Sequence, residues 1–113
     1  MRYFSLFILI SIAFFLFIIS IDIDSRTSIA CIGDSNTIGH GLFPKSLLSY
    51  PSQLRFILGR KYLIENFGLS GSTVSGNKDS MYKNSIPFIE SKKKNYKYFI
   101  FMLGTNDSKQ LNA

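Results

Sequence analysis

The chain has 113 residues, with 13 basic against 7 acidic side chains and a formal charge of +6, and 46% of it is hydrophobic. An uncharged run from Tyr3 to Ile21 holds much of that hydrophobicity, leaving residues 22–113 about 38% hydrophobic, below the usual globular fraction. What remains is one small domain, which excludes a multidomain enzyme. One cysteine excludes an intramolecular disulfide or a cysteine-built zinc centre, and one histidine excludes a two-histidine metal site.

The run from Tyr3 to Ile21 forms, at 1.5 Å per residue, a helix of about 28 Å, close to the hydrocarbon thickness of a bilayer. It is longer than a signal-peptide core and ends on a poor cleavage site at Ile18 and Ser20, so an uncleaved anchor is favoured over a cleaved signal. Arg2 before the run and Asp22 and Asp24 after it place the N-terminus in the cytoplasm and the following domain outside. A cleaved signal gives the same exported, periplasmic or secreted destination. Residues 1–23 are therefore assigned to the anchor or signal and 24–113 to the exported part. Cys31 lies too far from the apolar run to be a lipidation site and is expected in a buried strand.

Ser28 to Ile32 reads as a buried strand stopped by Gly33. Ser49 as N-cap, Pro51 just inside, Leu54, Ile57 and Leu58 at helical spacing and Gly59 at the end predict a three-turn helix. Tyr62 to Phe67 is a second strand, followed by a glycine- and serine-rich loop from Gly68 to Gly76. Pro87 starts a helix carrying Phe88 and Ile89 that finishes in the lysine run. Tyr98 to Leu103 is apolar throughout, the pattern of a strand buried on both faces. Strand, helix, strand, helix, strand predicts right-handed βαβ units in a parallel sheet.

Lys92, Lys93, Lys94 and Lys97 concentrate the positive charge late in the chain. They read as the solvated end of a helix whose dipole favours cations. The basic balance allows an anionic membrane or nucleic acid as partner. No aromatic-basic platform or helix-turn-helix pattern supports nucleic acid, and export argues against it.

All three strands end in polar loops at one edge: Gly33-Asp34-Ser35-Asn36-Thr37, Asn66-Phe67-Gly68-Leu69-Ser70-Gly71 and Gly104-Thr105-Asn106-Asp107. In an open parallel sheet ligands bind at that edge. Ser35, just after a strand at a helix start, is placed as a nucleophile. Gly68 offers a backbone N–H that no side chain blocks, and Asn106 a side-chain amide, so three donors can meet one developing oxyanion. Turn chemistry alone is the plainer role for Gly33, Asp34 and Gly68, and bonding within the loop the plainer role for Thr105 and Asp107. A phosphate-binding loop at Gly33 to Gly39 fails on spacing and on the absence of a following lysine. Asn106-Asp107-Ser108 fits a glycosylation acceptor, which an oxyanion-donating Asn106 would have to avoid.

GDSNT, NFGLSG and LGTND, each after an apolar strand, resemble the first three motif blocks of the SGNH, or GDSL-type, hydrolases. The resemblance runs from about Ile29 to Gln110. It implies a three-layer, flavodoxin-like α/β fold with Ser35 as nucleophile and Ser35, Gly68 and Asn106 as the oxyanion hole. Gly33, Asp34, Gly104 and Asp107 are the supporting motif positions. YPSQL, NFGLSGSTV and MLGTNDSK are more specifically similar to the sialate O-acetylesterase-like carbohydrate esterases. The implied substrate is a small ester, foremost an O-acetyl group on a carbohydrate, with lysophospholipids or thioesters behind it. No cofactor or metal is implied.

The family's catalytic histidine and the aspartate three residues before it belong to a later Asp-x-x-His block, and these 113 residues contain no such pattern. The single histidine, His40, falls five residues after Ser35, about 140° around a helix from it, and reads as a loop residue at the cleft rim. A serine without a base is a poor nucleophile. The expectation is therefore the N-terminal part of an esterase domain, inactive or nearly so by itself. A chain stopping at Ala113 should also leave an apolar sheet edge at Tyr98 to Leu103 and fold marginally. The competing reading is an exported glycan-binding module, or a decayed gene product, without turnover.

Overall fold

The computed structural model describes residues 2–76 and 80–109; Gln110 and Ala113, at which the resemblance and the chain end, lie outside them. Helix α1 (Arg2–Asp24) is followed after two residues by strand β1 (Thr27–Gly33). Its segment Tyr3–Ser20 is long and apolar enough to cross a membrane, and none of it is buried against the rest of the described chain.

After β1 come α2 (Ser35–Ile38), α3 (Lys45–Leu48), α4 (Tyr50–Leu58), β2 (Tyr62–Gly68), a 3₁₀ turn (Tyr82–Asn84), α5 (Ile86–Ser91) and β3 (Tyr98–Met102). The strands form one parallel sheet in the order β2-β1-β3. The architecture is the α/β parallel sheet with flanking helices that the sequence predicts, and the right-handed crossover rule puts α4 and α5 on opposite faces.

β1 is central, so both of its faces are covered, and Ile29, Ala30, Cys31 and Ile32 are all buried. Ile29, Cys31 and Ile64 make the core of one face, packed by Tyr50 and Leu54 of α4. Full burial of a side chain such as Ile64 contributes about 1.5–3 kcal/mol. Burial pushes the Cys31 thiol above its ordinary pKa, with Tyr50 and Arg55 pulling weakly the other way. Elsewhere Tyr96 meets Phe67 and Phe99 edge-on, with ring centroids 5.7 and 5.8 Å apart. Glu65 lies at the same level. Burial alone would raise its pKa, but hydrogen bonds from Lys94 Nζ and the Tyr96 hydroxyl hold it below the ordinary carboxylate value.

α4 has the boundaries its punctuation predicts, with Ser49 as N-cap, Pro51 in the first turn and Gly59 at a φ of +72° closing it. Its apolar face is narrower than the spacing suggests. Leu54 packs inward, whereas Ile57 is 75% exposed. α5 likewise begins as expected, Ser85 Oγ accepting the Phe88 N–H and Pro87 sitting in the first turn.

β3 departs most from its sequence pattern. Tyr98, Phe99, Phe101 and Met102 are exposed, not buried on both faces. The cause is position: among the described residues β3 pairs with β1 only, so it is an edge strand. The exposed apolar edge expected of this run is therefore what the described residues show. α3, the 3₁₀ turn and the isolated parallel bridge between Thr73 and Met81 carry no sequence signal that predicted them.

Candidate active site

The strand register sets the site. Gly33 at the end of β1 lies beside Gly68 of β2 and Met102 of β3, so the three following loops leave the sheet level with one another. β1 connects onward to β2 on one side while β3 lies on the other, which makes the end of β1 the point where the strand order reverses. Crevices for ligands open at such points. Ser35 stands two residues beyond, half-buried, as the first residue of α2.

Asp34 caps α2: it is fully buried and its Oδ1 accepts the Asn36 N–H at 2.9 Å. α2 is a single turn closed by Gly39 at a φ of +81°, so backbone N–H groups rather than a long helix dipole supply positive potential near Ser35. Asp34 Oδ2, Thr37 Oγ1 and the Tyr50 hydroxyl lie buried in this region, with Thr37 and Cys31 close enough to influence the Tyr50 phenol. Burial pushes the Tyr50 phenol up to about 12, so it stays protonated at neutral pH.

The two glycines at the strand ends are needed for close approach. A Cβ on Gly33 would lie 2.0 Å from Thr37 Oγ1 and 2.5 Å from the Met102 carbonyl oxygen. One on Gly68 would lie 2.3 Å from the Ile38 nitrogen and 2.8 Å from both Ile38 Cα and the Thr37 carbonyl carbon. The missing side chain at Gly68 therefore makes room for the backbone of α2, which is a different reason from an open approach for substrate. Its N–H donates to Asn66 Oδ1 at 2.9 Å.

Asn66 is the residue whose part sequence reasoning missed. Its Oδ1 accepts from Gly68, and its Nδ2 donates to the Thr37 carbonyl at 2.8 Å, tying the end of β2 to the end of α2. The available signal was an asparagine two residues before a glycine, the spacing at which an Asx side chain accepts from its own backbone.

The third loop opens at Gly104, whose φ of +113° suits glycine, and its carbonyl accepts the Asp107 N–H at 3.1 Å. Asn106 is 3% exposed, and its Nδ2 donates to the Ser72 carbonyl at 3.0 Å. The carboxylate of Asp107 takes the Ser75 N–H at 2.8 Å and the Val74 N–H at 2.9 Å. Those backbone donors, Ser75 foremost and then Val74, hold its pKa below the ordinary value. Asp107 thus clamps the loop after β2 to the loop after β3, a bond between loops where bonding within its own loop was expected. Thr105 is exposed, and its carbonyl accepts the Ser108 hydroxyl at 2.8 Å. His40 is exposed just past the α2 turn, its backbone N–H donating to the Ser35 carbonyl at 2.9 Å.

A groove of about 500 Å³ runs alongside, between the Leu69–Ser72 stretch and the segment from Ser80 to Pro87. Ser72 is the link: it walls the groove and accepts from Asn106. Neither Ser35 nor Asn106 lines it. Among the described residues no three His, Cys, Asp or Glu side chains group as metal ligands.

The chain is 38% identical over 84 residues to an acetylxylan esterase of Xylanibacter ruminicola, covering 74% of this chain and 18% of that enzyme. Two solved structures superimpose on it. A carbohydrate acetylesterase family member from Sinorhizobium meliloti does so with a TM-score of 0.64 and 26% identity, over 77% of this chain and 45% of that one. AlinE4, an SGNH-hydrolase family esterase, does so with a TM-score of 0.58 and 31% identity, over 73% and 42%. In sequence and fold this chain is similar to SGNH-hydrolase esterases. No family model matches it. The SGNH-type relatives are carboxylic ester hydrolases, and the chain spans less than half the length of each.

Proposed function

We propose that this chain carries the nucleophile and the anion-stabilising part of an exported SGNH esterase acting on O-acetyl groups of a carbohydrate. The observation that supports this most is the register of Gly33, Gly68 and Met102, which brings the Ser35, Gly68 and Asn106 loops to one sheet edge at its switch point. In this reading the Ser35 hydroxyl attacks the acetyl carbonyl. The tetrahedral oxyanion takes hydrogen bonds from the Ser35 N–H, the Gly68 N–H and Asn106 Nδ2. For that, the Gly68 N–H gives up Asn66 Oδ1 in favour of the substrate oxygen. Each well-aimed donor contributes about 3 kcal/mol to the transition state.

The proton of Ser35 has to reach a base. His40 is a poor candidate, since it is exposed beyond Gly39 and bound to Ser35 through backbone only. The reading therefore requires an Asp-x-x-His pair, which these 113 residues do not contain. By itself the 113-residue chain is then inactive or nearly so. The neighbouring groove, with Ser70 and Ser80 among apolar walls, suits the sugar part of such a substrate. Helix α1 serves in this account as the anchor or export signal.

The test is acetate release from acetylated xylo-oligosaccharides by the full natural protein. Loss by at least about 10³-fold in Ser35→Ala is expected for a triad nucleophile. A rate unaffected by Ser35→Ala and Asn106→Ala overturns the assignment. Saturable glycan binding without acetate release would favour a binding module instead.

A further inference from the structure

The sheet edge opposite Ser35 carries a feature that ester hydrolysis does not use. A cavity of about 310 Å³ at that edge is walled by Arg26, Arg55 and Arg60 together with Phe56, Gly59 and Tyr62. No carboxylate lines it. Arg26 Nε is buried with no hydrogen-bond partner among the described residues, and Arg55 uses Nη2 on the Ile64 carbonyl. Three arginines around one cavity suit a phosphate in charge, and arginine binds phosphate through paired N–H donors.

The surroundings are basic too. The Thr27 N–H donates to the Lys61 carbonyl and the Lys97 N–H to the Ser28 carbonyl, each at 3.0 Å, so Lys61 and Lys97 flank the start of β1. Lys93 and Lys94 pair with Glu90 and Glu65, whereas Lys61, Lys92 and Lys97 have no ion pair among the described residues. Lys92 and Lys97 instead lie 4.0 and 5.7 Å from the centroids of the Phe88 and Tyr98 rings. Asp22 and Asp24 precede Arg26 in the sequence.

Arg26 stands two residues past the end of α1, at most about 7 Å from it when extended. That is within the Debye length of about 8 Å at physiological salt. Whatever surface receives the end of α1 therefore meets the arginine cavity at close range.

We propose that this edge is a phospholipid-headgroup site: the Arg26–Arg55–Arg60 cavity takes the phosphate of an anionic lipid in the membrane that α1 enters. Lys61 and Lys97 add attraction to neighbouring headgroups, and exposed Phe56 at the cavity wall reaches the interface. The inference rests on α1 as an uncleaved membrane anchor. Docked this way, the domain holds its Ser35 edge away from the lipid and toward polymeric substrate.

The test uses the full natural protein in nanodiscs of phosphatidylcholine alone or with phosphatidylglycerol added, with amine acylation mapped by mass spectrometry. Labelling of Lys61 and Lys97 should fall about fivefold when the anionic lipid is present, the change expected of one basic residue at such a surface. Lys45, Lys83 and Lys109, which belong to the Ser35 side, should label alike in both. Arg26→Gln with Arg60→Gln should return Lys61 and Lys97 to the phosphatidylcholine level. Equal labelling in the two discs overturns the proposal, as does protection that survives the double substitution. Equal protection by inorganic phosphate in phosphatidylcholine discs assigns the cavity to a free anion and overturns the lipid source. A protein that does not enter the discs removes the anchor and the site with it, while acetate release from the same sample reports separately on the esterase reading.

Discussion

Gly68→Ala tests how tightly the position of the proposed nucleophile, Ser35, is fixed. The added Cβ would lie 2.3 Å from the Ile38 nitrogen and 2.8 Å from two further backbone atoms, none of which can rotate away. Restoring ordinary contact needs a movement of about 1 Å, and overpacking of this kind costs about 1–3 kcal/mol of stability. α2 has only four residues and starts at Ser35, so the proposed nucleophile moves with it. A displacement of about 1 Å costs about 10² in rate, equivalent to about 2.7 kcal/mol in the barrier. The assay is kcat for acetate release by the full natural protein, measured with the thermal unfolding midpoint. Gly59→Ala is the matched control: its φ of +72° disfavours a side chain, but nothing lies within 4 Å and it is at the far end of α4. It should cost about 1–3 kcal/mol through backbone strain and leave kcat unchanged. Wild-type kcat and stability in Gly68→Ala would refute the close packing of α2 on β2. Equal losses of kcat in both variants would show that activity follows stability and not nucleophile position.

Asn106→Ala should lower kcat about 10²–10³-fold if its amide stabilises the oxyanion. The orphaned Ser72 carbonyl should add about 1–3 kcal/mol of instability, read by chemical denaturation. Asp107 has a folded pKa below its ordinary 3.8, so its contribution is present above that value and is lost as pH falls through the lower folded value. Asp107→Asn should therefore flatten the fall in stability below pH 3.8, seen in acid-unfolding curves, while loosening the clamp on Val74 and Ser75. Cys31 is fully buried with its pKa raised, so Ellman's reagent should leave it unmodified at mildly alkaline pH in the folded protein and react once guanidinium is added. Rapid reaction in the folded state would contradict the central placement of β1.

The parallel sheet was legible because β1 and β2 carry short apolar runs punctuated by glycine, and α4 is bracketed by Ser49, Pro51 and Gly59. Those are local signals, and local chemistry decides them. The exposure of β3 was not legible from Tyr98 to Leu103 alone, because an apolar run reports propensity for burial while the edge position is set by what pairs beside it. The site's outline at Ser35, Gly68 and Asn106 could be read from three loops following three strands. What escaped was the way those loops are held: Asn66 bridging to α2, Asn106 to the Ser72 carbonyl and Asp107 to Val74 and Ser75. These contacts join residues about 30 apart in sequence, across strands that only the fold brings together. The same limit explains Gly68, whose need for a missing side chain comes from the Ile38 backbone and is invisible before the register is known.

The central claim is that Ser35 is the nucleophile of an ester hydrolase. Treating the full natural protein with a fluorophosphonate and mapping the adduct by mass spectrometry tests it most directly. The account predicts one phosphonyl group on Ser35, formed in step with the loss of acetate release and absent from Ser35→Ala. An active enzyme whose Ser35 remains unmodified while activity is lost through another residue, or that still turns over as Ser35→Ala, would contradict it.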